Sequence, residues 1–116
     1  MKSSDSFRDF VVGQLAEIPR LRTQAMFGGI GVYAGEVFFA LIASDVFYLK
    51  VDDTNRARFE AEGSRAFQPY LDSPQVMPYY NVPVGVLEHA ETLVAWARIS
   101  IAVATNGRKP KKRRRG

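Results

Sequence analysis

Residues 26–51, MFGGIGVYAGEVFFALIASDVFYLKV, constrain the fold more than any other stretch, because they hold no proline and are dense in aromatic and β-branched residues. Such residues favour pleated, half-buried surfaces, so the run is predicted to form three consecutive strands. The first extends from about Gln24 to Tyr33, and Ala34-Gly35 then turns the chain into Glu36 to Ala43, with the glycine supplying a positive φ. Ser44-Asp45 makes a second turn into Val46 to Val51. In that last strand Phe47, Leu49 and Val51 share one face, and Val46, Tyr48 and Lys50 share the other. The middle strand places Val37, Phe39 and Leu41 on one face and Phe38, Ala40 and Ile42 on the other, so both its faces call for burial.

With 116 residues, 47% of them hydrophobic, the chain is long enough for one domain with a real core and too short for two. It holds no cysteine, which removes disulfides and thiolate chemistry. The polar start, MKSSDSFRDF, does not resemble a signal peptide, and the apolar run from Val37 to Ala43 is far short of the roughly 20 residues a membrane helix needs. A cytoplasmic protein is expected, with no membrane partner. The net charge of +4 is deceptive. The last nine residues, RKPKKRRRG, hold seven of the sixteen Lys and Arg, and the remainder carries nine basic and twelve acidic residues, a net charge of −3. A mildly acidic domain over residues 1–107 therefore carries a basic tail over 108–116. With no apolar residue to bury, the tail is expected to be disordered in isolation.

Around the strands, Ser3 to Ile18 reads as a helix ended by Pro19. Ser4 or Ser6 caps it, and Phe7, Phe10, Val11, Leu15 and Ile18 form its apolar stripe. Asp52-Asp53-Thr54 supplies caps for a short helix from Thr54 to Glu62, with Gly63 at its end. Ala66 to Leu71 and Val76 to Val82 read as strands joined by Asp72-Ser73-Pro74. Pro69 and Pro78 confine them to edges or bulges. Pro83 opens a helical turn to Leu87, and a last helix runs from Ala90 or Glu91 to Asn106, with Leu93, Val94, Trp96, Ala97, Ile101 and Ala104 as its packing side and Asn106-Gly107 as its stop. The fold class is thus α+β: a single domain in the order α-β-β-β-α-β-β-α, an antiparallel sheet with helices packed on it.

Reactive constellations are scarce. Gly28-Gly29-Ile30-Gly31 leads into a strand and not into a helix N-terminus, so it reads as a bulge or a close backbone approach and not as a phosphate cradle. His89 is the single histidine, which leaves no metal-ligand spacing and only one candidate base for Ser44, Ser64, Ser73 or Ser100, none of them in a nucleophile-elbow context. Asp52 and Asp53 are better read as capping residues than as paired acids. No catalytic residue, metal site or cofactor is expected. Two binding features stand out. Arg108, Lys109, Lys111, Lys112, Arg113, Arg114 and Arg115 put seven cations in eight positions, suited to non-specific nucleic-acid binding. Tyr48 and Lys50, with Tyr79 or Tyr80, are candidates for a partner-binding surface.

The residues also carry a family resemblance. Met26-Phe27-Gly28-Gly29-Ile30-Gly31-Val32-Tyr33, Phe39-Ala40-Leu41-Ile42-Ala43, Tyr48-Leu49-Lys50-Val51-Asp52, Asn55-Arg56-Ala57-Arg58-Phe59, Met77, Tyr79-Tyr80-Asn81-Val82-Pro83, Leu87 and Ala95-Trp96-Ala97-Arg98 closely resemble the N-terminal domain of the TfoX/Sxy family, over roughly residues 5–105. The resemblance implies a compact α+β domain similar to secretion-chaperone-like domains. It also implies a regulator of competence for DNA uptake that acts as a transcriptional coactivator alongside the cyclic-AMP receptor protein, and not an enzyme. Family members with a helical C-terminal domain differ from this chain, which looks like a stand-alone form ending in a basic tail. The expected function is a non-enzymatic regulatory adaptor working through protein contacts, with tail-mediated nucleic-acid association. The two-sided middle strand adds homodimerisation as an expectation. The rivals are a general nucleic-acid-binding protein working through its tail and, ranked last, a small-ligand-binding domain using Tyr48, Lys50 and the Gly28 to Gly31 loop.

Overall fold

Positive φ angles at two turns fold the central run back on itself. A computed structural model describes residues 4–26, 29–69, 72 and 74–108. Gly35 (φ 62°) closes the hairpin of β2 (Gly29–Ala34) and β3 (Val37–Ala43), while Ser44 and Asp45 (φ 51° and 58°) close that of β3 and β4 (Val46–Lys50). The expected order of helical and extended segments is present, with one more strand in the first block. The stretch expected as a single strand from Gln24 to Tyr33 divides between β1 (Leu21–Met26) and β2, which pair antiparallel with Met26 opposite Gly29. Gly28 lies outside the described residues. The sheet is completed by β5 (Ala66–Phe67) and β6 (Met77–Asn81), in the antiparallel order β1-β2-β3-β4-β6-β5. The expected end of β5 at Leu71 and the middle of the Asp72-Ser73-Pro74 turn lie outside the described residues. Pro78 sits where the β5–β6 register slips and gives its carbonyl to the Val51 N–H at 2.9 Å.

Strand β3 departs from strict alternation. Val32 pairs with Ala40, but the next residue, Tyr33, pairs with Phe38, so Phe39 is an extra residue, a β-bulge. The bulge turns Phe39 and Ala40 to the same side. Val37, Phe39, Ala40 and Ile42 join the larger core, and Phe38, Leu41 and Ala43 join the smaller. The expected grouping of Val37, Phe39 and Leu41 against Phe38, Ala40 and Ile42 therefore holds up to Phe39 and is reversed after it, where Ala40 and Ile42 join Val37 and Phe39 and Leu41 joins Phe38.

The larger core lies under the helices. Helix α1 (Asp5–Gln14) is capped by Ser4, whose Oγ accepts from the Phe7 N–H at 3.2 Å. The chain leaves the helix at Leu15, earlier than expected, and turns through residues 15–18 to Pro19. Val11, Leu15 and Ile18 are buried, but Phe10 is 43% exposed and does not belong to the stripe. Helix α2 (Arg56–Ala61) begins two residues later than expected, after Asn55. The Asp52 carboxylate instead accepts from the N–H and hydroxyl of Thr54, forming a turn ahead of the helix. After α3 (Val84–Leu87), the long α4 (Ala90–Arg108) buries Leu93, Val94, Ala97 and Ala104 on the sheet, with Trp96 and Ile101 packed beside them. It continues through Asn106-Gly107, where a stop was expected, since a glycine in a last turn costs little. No helix among the described residues is long and apolar enough to cross a membrane.

Close packing, not conformational freedom, explains Gly29. A Cβ built there would stand 2.5 Å from the Ile42 carbonyl oxygen on β3. The expected close approach is present, although the approaching backbone belongs to a strand and not to a covering helix. Gly29→Val should cost on the order of 1–3 kcal/mol by overpacking. By scanning calorimetry Tm should fall by roughly 5 °C or more, whereas an unchanged Tm would contradict the contact.

Candidate functional site: the aromatic face of the sheet

The two sheet faces are covered in different ways. Apart from Val103, the buried apolar helix residues among the described residues join the larger cluster, and none joins the smaller. The smaller one, built from Leu41, Ala43, Phe67 and Tyr79 with Phe38, Tyr48 and Met77 against it, draws on strands alone. This second face is sealed by its own aromatic side chains. Leu41 is only 5% exposed, and among the described residues no helix residue belongs to its cluster.

Register decides which tyrosines share the face. On β4 and β6, Lys50 stands opposite Tyr79 and Leu49 opposite Tyr80. Side chains alternate along a strand, so Tyr79 joins Lys50 and Tyr48, while Tyr80 turns to the helix side. There its ring meets Phe59 at 6.1 Å and its hydroxyl donates to Glu60 Oε2 at 3.3 Å. Of the expected partner-surface residues, Tyr48, Lys50 and Tyr79 are thus brought together and Tyr80 is not.

A chain of contacts runs across the face. The Arg22 guanidinium lies 4.3 Å from the Tyr33 ring centre, Tyr33 stacks on Phe38 at 5.1 Å, and Phe38 meets Tyr79 at 5.5 Å. The Lys50 ammonium closes the row 5.0 Å from the Tyr79 ring. Tyr48 packs edge-on against Phe67 at 4.9 Å. Sequence reading missed Arg22, Tyr33 and Phe38. A signal for Tyr33 and Phe38 existed: a two-residue turn at Gly35-Glu36 pairs Ala34 with Val37 and Tyr33 with Phe38. Arg22 was hidden because β1 was not recognised.

The Lys50 backbone is fixed from the other side. Its carbonyl accepts from Ser100 Oγ of α4 at 2.8 Å and from Asn55 Nδ2 at 3.2 Å, and Asn55 Oδ1 accepts the Asp52 N–H at 2.9 Å. Ser100 and Asn55 are both buried and satisfied by these bonds. Where α4 ends, a cavity of about 350 Å³ is lined by Glu36, Phe38, Lys50, Tyr79, Ala104 and Gly107.

Electrostatics follow from burial. The Tyr79 phenol, 4% exposed, is pushed up to about 12 by loss of solvent, with a smaller contribution from Tyr33. Burial also raises Tyr48. The Asp52 carboxyl is held below its ordinary value, first by the Thr54 hydroxyl and then by the Thr54 N–H, and Asp53 pairs with Arg56. These two acids are structural. His89, just ahead of α4, holds its Nδ1 2.8 Å from the carbonyl of Gly85 in α3. Among the described residues no three or more His, Asp or Glu side chains gather in a way that could hold a metal ion. Arg108 is the last residue of α4 and its side chain is not described; Lys109, Lys111, Lys112, Arg113, Arg114 and Arg115 lie outside the described residues.

This sheet order and these packed helices accompany a family match. The TfoX N-terminal domain profile matches residues 13–104. The chain belongs to the TfoX N-terminal domain family. No curated protein matches it. The matched segment contains every strand and α2, α3 and most of α4, so the whole aromatic face of this TfoX-type domain falls within it.

The Tyr79 shift has a consequence for stability. A phenol whose folded pKa lies above its unfolded value near 10 keeps its proton more tightly when folded, so its contribution is complete below pH 10 and is lost as pH rises towards about 12. Thermal melts at increasing alkaline pH should show Tm falling across this window. Tyr79→Phe should flatten the decline, and an equally steep fall in that variant would assign the loss to other groups.

Proposed function

We propose that the protein is a non-enzymatic regulatory adaptor of the TfoX type, working in the cytoplasm through contacts with other macromolecules. A protein partner docks on the aromatic face, and the basic tail associates with nucleic acid. Family membership supports a TfoX-like regulatory domain, and transcriptional coactivation of competence is the specific role proposed for it. The observation that carries the docking reading is the placement of Tyr48, Lys50 and Tyr79 together on a sheet face to which, among the described residues, no helix contributes a core residue. Half-buried aromatic rings with a cation at the margin are what a partner contact favours, since tyrosine and other aromatics supply large contact area at small entropy cost.

Capture of a partner from extract by immobilised full-length protein tests this reading. Lys50→Glu changes a half-buried side chain whose backbone stays fixed by Ser100 and Asn55, so the domain should fold while capture falls about tenfold or more. Undiminished capture would remove the aromatic face from the reading. Deleting residues 108–116 addresses the tail separately. Seven cations should give nucleic-acid binding whose logarithm falls by roughly 0.9 per phosphate neutralised for each decade of salt. That slope should vanish in the truncated protein; if the slope survives truncation, the tail is not the nucleic-acid contact.

Self-association through the same face is a second reading, favoured by Phe38, Tyr48 and Met77 lying half-buried around its sealed centre. Sedimentation at high protein concentration should then show a dimer that Tyr48→Asp converts to monomer. A wild-type monomer at every concentration rejects it.

A further inference from the structure

A second surface, sharing no lining residue with the cavity beside Lys50 and Tyr79, lies between the end of α1, the β2–β3 turn and α4. It is a groove of about 370 Å³ whose aliphatic floor is Ile18, Ala34, Val37 and Ile101, flanked by Arg20 and Arg98. Two observations set Arg20 in place, and a third leaves both exposed arginines without an ion pair among the described residues. Arg20 holds a left-handed backbone conformation (φ 57°), and its carbonyl accepts the Gly35 N–H at 2.9 Å. Its guanidinium rests on the bare backbone of Gly35, where a Cβ would come within 2.8 Å of Nη2. Finally, the ion pairs among the described residues join Arg8 to Asp5 and Asp9 and Arg56 to Asp53, so neither Arg20 nor Arg98 takes part in one. This is unexpected in a domain whose body is acidic by three charges.

An aliphatic floor between two unpaired guanidinium groups complements a ligand that carries apolar groups with carboxylates beside them. A small-molecule site would need several convergent polar groups around an enclosed ligand. Here the charged groups lining the groove among the described residues are the two arginines, and the groove is open to solvent, as a surface for peptide side chains is. We propose that this groove docks an acidic, leucine-rich segment of a partner protein, its aliphatic side chains on Ile18, Ala34, Val37 and Ile101 and its carboxylates on Arg20 and Arg98. The segment engages a surface distinct from the aromatic face, so its binding does not depend on Lys50.

Methyl NMR of the full-length protein tests this with a short synthetic peptide in which leucine and glutamate pairs alternate, a matched peptide with lysine for glutamate, and sodium decanoate as a small amphiphilic anion. The leucine–glutamate peptide should shift the methyl resonances of Ile18, Ala34, Val37 and Ile101. In backbone-amide spectra recorded alongside, shifts confined to residues 108–116 with the groove methyls unmoved would mean that only the tail holds it and would overturn the proposal. Arg98→Glu, on an exposed helix position, should weaken this peptide about tenfold and favour the lysine peptide. Ala102→Trp, also exposed, should block the groove without changing charge. Equal affinity of wild type and both variants for the acidic peptide rejects the site. Groove methyls that respond to decanoate and not to the peptide reject a protein segment as the occupant. Lys50→Glu should leave the peptide affinity unchanged, so failure here and failure of the aromatic-face reading are told apart.

Discussion

One extra residue, Phe39, determines how a small sheet serves two apolar clusters. In an unbroken strand, alternate residues would commit Val37, Phe39 and Leu41 to one side throughout. By looping out of register against Val32 and Tyr33, the strand breaks that rule: Phe39 and Ala40 both face the helices, and Leu41 and Ala43 face away. The two largest demands of the fold, a floor for α4 and a base for the aromatic row, are met by the same seven-residue strand. Strengthened local twist at the bulge also suits a sheet whose free face must close over its own side chains.

The two faces are tied together at Lys50. Its carbonyl is gripped by Ser100 from the helix layer and by Asn55 from the turn before α2, while its side chain lies over Tyr79 on the opposite face. These polar bonds are buried, so losing a donor would leave an acceptor dry and costly. A change in how α4 sits on the sheet would therefore be felt at Lys50, on the face proposed to meet a partner.

Much of this architecture could be read from the residues. Gly35 between two apolar runs marked its hairpin, Ser44-Asp45 marked the next, and Leu93, Val94, Ala97 and Ala104 marked the buried side of the last helix by spacing alone. What escaped reading had local causes. Leu21 to Met26 sets arginine, threonine and glutamine together in its middle, so only its end from Gln24 carried a strand pattern, which ran on into β2 without showing the turn between them. The bulge at Phe39 has no composition mark, because every residue around it is apolar. The choice between Tyr79 and Tyr80 depended on which of them stood opposite Lys50, a matter of long-range register that adjacent tyrosines cannot reveal. The groove at Arg20 and Arg98 joins residues far apart in sequence and is set by tertiary packing.

Because α4 does not stop at Asn106-Gly107, its last turn lies against the cavity beside Phe38, Lys50 and Tyr79. The eight residues after Arg108 start from that spot, and even fully stretched they span at most roughly 28 Å. If those cations grip a polyanion, as proposed, the gripped segment is leashed to within that radius of the tyrosines. Its local concentration there rises to the order of millimolar, whatever its level in bulk.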